Sequence, residues 1–229
     1  VIALTGVAYS SNSGHHSYST KALPMGALLD CGSTLTYLPN AIVQDIYNDL
    51  KVTYDQHTGN AFVPCSIAAD NINITYTFSS PSITVGINEL VLDAGNSYFS
   101  DGTKACLFGI VPAGSNTVVL GDTFLRSAYV VYDLANNEIS LANTHFNSQQ
   151  SNILEIGTGS DSVPSASLVP NAVATAPVAG VGARIGGPSV TGWTSGATPL
   201  AAPTSTAGFW AVGLLWCFFS ILTAFKPLF

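Results

Sequence analysis

Ala27-Leu28-Leu29-Asp30-Cys31-Gly32-Ser33-Thr34-Leu35-Thr36 is the stretch that decides how this chain is read. An apolar run with strand character ends in an aspartate. Glycine follows two residues later, and hydroxyl residues follow at three and four. The pattern presents one carboxylate at the end of a strand, in a tight turn where backbone amides and hydroxyls can reach it. Taken alone, the same pattern also fits an aspartate that merely closes a turn.

Outward from this turn, residues 1–9 and 26–30 are predicted as strands. A helix is expected over 40–51 after Pro39, with Ile42, Val43, Ile46, Tyr47 and Leu50 as its apolar stripe. Residues 73–78 alternate polar and apolar, the mark of a half-buried strand. Short strands are further expected over 82–85, 89–92, 105–111, 117–121, 128–133 and 138–142. The last two are joined by Asn136-Asn137, a tight-turn signal. One helix among many closely spaced strands predicts an all-β body.

Composition narrows the class. The chain has 229 residues, enough for one domain with appendages or two small domains. Charged residues make up 8%, against about 25% in an average globular domain. With many Ser, Thr, Asn and Gly residues, this suits an extracellular β-rich protein. The net charge is −7 and Lys plus Arg number 6, so no basic patch exists and nucleic acid is excluded as a partner. Cys31, Cys65, Cys106 and Cys217 have no C-x-x-C spacing, and the four histidines form no zinc pattern with them. No metal and no cofactor are expected. His15 and His16 read as solvated loop residues.

Three zones follow one another: a β-rich body over 1–147, a Ser/Thr/Pro/Gly/Ala-rich stalk over 148–206, and an apolar tail over 207–229. The stalk holds too little apolar surface to fold and invites O-glycosylation. The apolar run over 209–225 is short for a membrane span and no basic cluster follows it. Small residues at Ser195-Gly196-Ala197, a polar spacer over 198–206 and the tail fit a GPI signal instead. Ser195 is the expected ω site, and the tail would be removed. Asn73-Ile74-Thr75 is the body's acceptor sequon for N-glycosylation.

A second block settles the meaning of the first. Val118-Val119-Leu120-Gly121-Asp122-Thr123-Phe124-Leu125-Arg126-Ser127-Ala128-Tyr129-Val130-Val131-Tyr132-Asp133 resembles the segment that ends the C-terminal lobe of pepsin-like aspartic proteases. Asp30-Cys31-Gly32-Ser33 is similar to that family's second Asp-Thr/Ser-Gly motif, with cysteine in the place of the hydroxyl residue. Residues 136–142 look like the closing hairpin, and Cys65 and Cys106 match the lobe's disulfide in order and spacing. With stalk and GPI signal, the likeness is nearest to the fungal yapsin-like surface enzymes.

The resemblance implies an all-β C-terminal lobe of a two-lobed fold. It also implies hydrolysis of peptide bonds at acidic pH by two aspartates sharing a proton. Asp30 would be one of them. Gly32 would leave room for substrate and Ser33 would hydrogen-bond Asp30. Ser33 and Thr34 would touch substrate, Ile110 and Val111 would wall a pocket, and Asp122 would be structural. The second aspartate belongs to an N-terminal lobe that this sequence does not show; Asp101-Gly102-Thr103 lacks the middle residue. Polypeptide substrates, the N-terminal lobe and the membrane, through a GPI anchor, are the implied partners. The implied location is the plasma membrane or cell wall of a secreted protein. Cys31, an odd thiol and a weak hydrogen-bonding group, would loosen the packing of the two catalytic loops. Two other readings stay open: a homodimeric protease, and an inactive anchored wall or adhesion protein that keeps the lobe as scaffold.

Overall fold

The computed structural model describes residues 1–159 and 162–173. The rest of the stalk, Ser195 and the apolar tail lie outside the described residues.

The chain opens with β1 (Ile2–Leu4) and β2 (Gly6–Ser11) rather than one strand over 1–9. Thr5 is the break. Its amide and its hydroxyl both donate to the carbonyl oxygen of Thr77, at 2.8 and 3.0 Å, so β1 and β2 leave for different sheets. β3 (Gly14–Tyr18) returns beside β2 and carries His15 and His16, which are strand residues and not loop residues. His16 Nε2 sits 2.8 Å from Asp49 Oδ2, and the Tyr18 hydroxyl donates to the same oxygen at 2.7 Å. β4 (Met25–Leu29) leads into the Asp30 turn, and β5 (Thr36–Leu38) leaves it.

The helix α1 (Asn40–Leu50) buries the stripe its periodicity predicts: Ile42, Val43, Ile46, Tyr47 and Leu50. It stops where Lys51 turns left-handed, with φ 53°. β6 (Thr53–Asp55), β7 (Asn60–Pro64), β8 (Asn73–Thr77) and β9 (Ser82–Gly86) follow. Residues 89–92 are not a strand. Ile87 and Leu90, three apart and both buried, make the one-turn helix α2 (Ile87–Leu90). The strand begins only at β10 (Val91–Tyr98) and pairs with β11 (Lys104–Phe108). Gly109 then separates β11 from β12 (Ile110–Pro112), because its amide turns aside to the Leu90 carbonyl at 2.6 Å. β13 (Val118–Leu120), the one-turn α3 (Asp122–Leu125) and the hairpin β14 (Ala128–Asp133) and β15 (Glu138–Asn143) complete the order.

Among the described residues the strands form sheets in the orders β1-β4-β13-β5-β12, β3-β2-β8-β9, β10-β11-β7-β6 and β14-β15. The body is therefore mostly β with few helices, as expected. Cys65 and Cys106 are joined by a disulfide across a separation of 41 residues. Closing a loop of that size in the unfolded chain is worth roughly 4 kcal/mol on the chain-entropy account. The core includes Leu4, Leu38, Ile42, Ile46, Ile74, Tyr76, Phe108 and Phe124, all fully buried. Phe124 meets the edges of Tyr76 and Phe78 at ring-centre distances of 5.1 and 5.8 Å.

Candidate active site

The first sheet has an unusual centre. β13 lies between β4 and β5, parallel to the first and antiparallel to the second. The chain thus passes down β4, around the Asp30 turn and on to β5, and a segment ninety residues later slides between the two. Val118, Val119 and Leu120 pair with Ala27, Leu28 and Leu29, which fixes the register. The Asp30 amide then donates to the Leu120 carbonyl at 3.1 Å.

Beyond Leu120 the inserted strand passes directly against the turn. A Cβ on Gly121 would fall on the carbonyl oxygens of Ser33 and Leu35, well inside van der Waals contact. Only a glycine allows this approach, since both neighbours are backbone and cannot step aside. The next two amides close the crossing: Asp122 N–H donates to Ser33 O at 2.8 Å and Thr123 N–H to Thr34 O at 3.2 Å. Beneath it, Thr36 and Thr123 are fully buried with their hydroxyls 3.0 Å apart, and the Thr123 hydroxyl also reaches Gly109 O at 3.0 Å. Sequence reasoning missed this threonine tie. Its one outward sign is Gly109, where a Cβ would come within 2.6 Å of Thr123 Cγ2.

The carboxylate of Asp30 is half-buried and held on both oxygens. Gly32 N–H donates to Oδ1 at 3.0 Å, and the Ser33 hydroxyl donates to Oδ2 at 2.7 Å. A side chain at 32 would start 3.2 Å from Oδ1, which explains the glycine there. Thr34 is exposed at the far side of the turn and gives its carbonyl to the crossing. Cys31 is exposed and is not the odd thiol expected. It is disulfide-bonded, and a bonded sulfur has no proton to donate.

Two groups feel the charge of Asp30. Burial pushes the Asp122 carboxyl above its ordinary value; Arg126 pulls it down and Asp30 adds to the rise. The Tyr132 phenol on β14 is raised by burial first and by Asp30 second. Arg126 is itself paired with Glu89, Nε to Oε2 at 3.1 Å, and its Nη2 donates to the Glu89 carbonyl.

One expectation needs correcting. Ile110 and Val111 are 0% and 3% exposed and belong to the core, so neither can wall a substrate pocket in this chain. Asp101 lies in the exposed β10–β11 connection, where it accepts from the Thr103 amide at 2.9 Å; it closes a turn and does not join Asp30. Asn73 is half-buried on β8, between β2 and β9.

An aspartate turn threaded by a glycine-bearing strand defines a class of protein, the lobe of an aspartic protease. The family model for eukaryotic aspartyl proteases matches residues 2–144, and the chain belongs to that family. It is 68% identical over 190 residues to a probable aspartic-type endopeptidase opsB of Aspergillus oryzae, covering 82% of this chain and 39% of the relative. Identity to the Aspergillus fumigatus protein of the same name is 60% over 215 residues, 93% of this chain and 43% of the relative. The aspartic proteinase yapsin-3 of Saccharomyces cerevisiae is 34% identical over 171 residues, 74% of this chain and 31% of the relative. The chain spans less than half the length of these curated relatives.

Proposed function

We propose that this chain is the C-terminal lobe of an aspartic-type endopeptidase that hydrolyses polypeptides in acid, with Asp30 as one of its two catalytic carboxylates. The observation that supports this most is the pair of hydrogen bonds on Asp30, Gly32 N–H at 3.0 Å and Ser33 hydroxyl at 2.7 Å, above the Gly121 crossing. They fix the plane of the carboxylate without using up its outward face.

Two carboxylates brought within a few ångströms cannot both ionise cheaply, so the pair shares one proton in acid. The charged member takes a proton from a water, which attacks the scissile carbonyl. The neutral member donates to the carbonyl oxygen. Ser33 and Gly32 keep Asp30 in position for either role, and Ser33 and Thr34 border the place where substrate would lie. The N-terminal lobe supplies the second aspartate. The stalk over 148–206, the GPI site at Ser195 and glycosylation at Asn73 complete the reading as a secreted, surface-anchored enzyme, with residues 207–229 removed.

The test is peptide cleavage between pH 3 and 6 by this chain paired with an N-terminal lobe, and its block by a statine-type inhibitor. Asp30→Asn is expected to lower kcat at least about a thousandfold with little change in fold. Full activity of Asp30→Asn would overturn the assignment. Activity of the chain alone would overturn the half-site account and favour a homodimer. Inhibitor binding without cleavage by the lobe pair would favour the inactive scaffold.

A further inference from the structure

We infer that residues 157–159 and 162–173, which by composition belong to the stalk, form a strap that clamps the β14–β15 hairpin against the body.

The need for a clamp is visible in the topology. β14 and β15 pair only with each other among the described residues. A lone two-stranded hairpin is marginal in water; Val130, Ile139 and Leu141 pack this one on the core, and its polar tip is left to other fastenings. This hairpin carries Tyr132, which lies in the field of Asp30. At its base Asn143 supplies one fastening. Its side chain accepts from the Thr84 amide at 2.9 Å and donates to the Ser82 carbonyl at 2.9 Å, copying a strand's hydrogen bonds along the edge of β9.

The strap supplies the other fastening, at the tip. Asp133, where β14 ends, accepts from the Ala135 amide at 3.0 Å, from the Asn136 amide at 3.1 Å and from the Asn136 side chain at 2.8 Å. The Ser162 hydroxyl adds a fourth bond to Asp133 Oδ2 at 2.8 Å, and Asn136 Nδ2 reaches across to Gly159 O at 2.7 Å. The strap is pinned again at its far end, where the Val173 amide donates to the Ser79 hydroxyl at 3.0 Å. Between the pins, Val163, Val169 and Val173 are half-buried, while Leu168 points outward. They close one wall of a groove of about 310 Å³ whose other walls are β1, the 78–81 turn and β15.

A segment too poor in apolar residues to build its own core is thus ordered by borrowing one side of the body's. Val173 is thus still held at the 78–81 turn, well past residue 148 where the composition of a stalk begins. None of this depends on catalysis, so the strap stands or falls separately from the protease reading.

Hydrogen exchange on the full chain tests it. The amides of Gly157, Ala166 and Val173 are expected to exchange at least roughly tenfold more slowly than in a free peptide. In Ser79→Ala/Ser162→Ala, which removes the hydroxyl pin at each end and leaves only the Asn136 bond to Gly159 O and the Asp133 turn, the Ala166 and Val173 amides revert to free-peptide rates. Amides 133–138 at the hairpin tip speed up by at least roughly tenfold, while β4 and β13 are unchanged. Ser79→Ala alone, which deletes only the acceptor of the Val173 amide, speeds exchange at Val173 and leaves Gly157 protected. Free-peptide exchange across the strap in the native chain would overturn the inference. So would a hairpin tip that does not respond when the strap is released.

Discussion

The Asp30 turn and the strap over residues 157–159 and 162–173 are both irregular chain, and they are held in opposite ways. The turn is fixed by backbone: the Asp30, Asp122 and Thr123 amides each donate to a carbonyl across the crossing, and Gly121 admits the passing strand. The strap is fixed at its ends by side chains of Ser162, Asn136, Asp133 and Ser79. Backbone fixation requires a particular residue only where a Cβ would collide, so it concentrates its demand in one or two glycines. Side-chain fixation spreads over residues that composition cannot tell from linker. The first kind of region resists change until one position is touched. The second gives way locally, one hydrogen bond at a time.

Gly121→Ala is the largest single blow to this contrast. The new methyl would overlap two carbonyl oxygens that belong to the turn itself. Relieving it means withdrawing β13 from between β4 and β5 and breaking the bonds that follow it. A loss of at least about 4 kcal/mol is expected, beyond the usual cost of overpacking because the neighbours are backbone. Urea denaturation of the variant measures it. Ser162→Ala, the matched change in the strap, should leave the midpoint within about 0.5 kcal/mol. Equal midpoints for the two variants would mean that the crossing is not what fixes the turn.

Thr123→Val sharpens the comparison, because it asks whether the turn also depends on side chains. Valine keeps the shape but removes the hydroxyl that bonds Gly109 O and meets Thr36. The buried Thr36 hydroxyl then lacks a partner, while Gly109 O keeps the Thr36 amide at 2.9 Å, at a cost of about 1–3 kcal/mol. Thr36→Val added to Thr123→Val should cost less than the sum, since the second change removes an orphan made by the first. A double-mutant cycle read by chemical denaturation measures the coupling, and strict additivity would show that the two hydroxyls do not depend on each other.

What could be read in advance follows the same division. The Asp30 turn, the strand ending in Gly121, the stripe of α1 and the Asn136-Asn137 hairpin all announce themselves through period, glycine or turn chemistry. β5 did not, because Thr36–Leu38 is three residues long and becomes a strand only by lying beside β12 and β13. β3 did not, because Gly14–Tyr18 is polar and exposed until Tyr18, and its pairing with β2 decides it. Residues 89–92 misled because Leu90-Val91-Leu92 is a short apolar run that reads as a strand, while Ile87 and Leu90 already form a helical turn. Ile110 and Val111 were placed by likeness to a cleft, yet β12, the edge strand beside β5, lies against α1, where the Tyr47 hydroxyl donates to Ile110 O, and both side chains are buried. The strap gave no signal at all, since Ser, Pro, Ala and Gly read as linker until a neighbouring carboxylate turns a serine into an anchor.

The smallest effect is local and depends on pH. Hydrogen bonds from the Asn136 side chain, then from the Ser162 hydroxyl and the Asn136 and Ala135 amides, hold the Asp133 carboxyl below its usual range. A carboxyl whose pKa is depressed by folding adds stability that is present above the unfolded value of about 4. That stability is lost as pH falls through the lower folded value. The strap's protection at Gly157 is therefore expected to hold from neutral pH down to about 4 and to fade below it, while the amides of β4 and β13 keep theirs. Asp133→Asn removes the titrating group and one acceptor, so protection should start lower and stay flat with pH. Native-chain protection that is constant down to pH 2, or that fades first on the alkaline side, would exclude Asp133 as the anchor. The sign matters: the clamp is closed in neutral and mildly acidic solution and is released only in stronger acid.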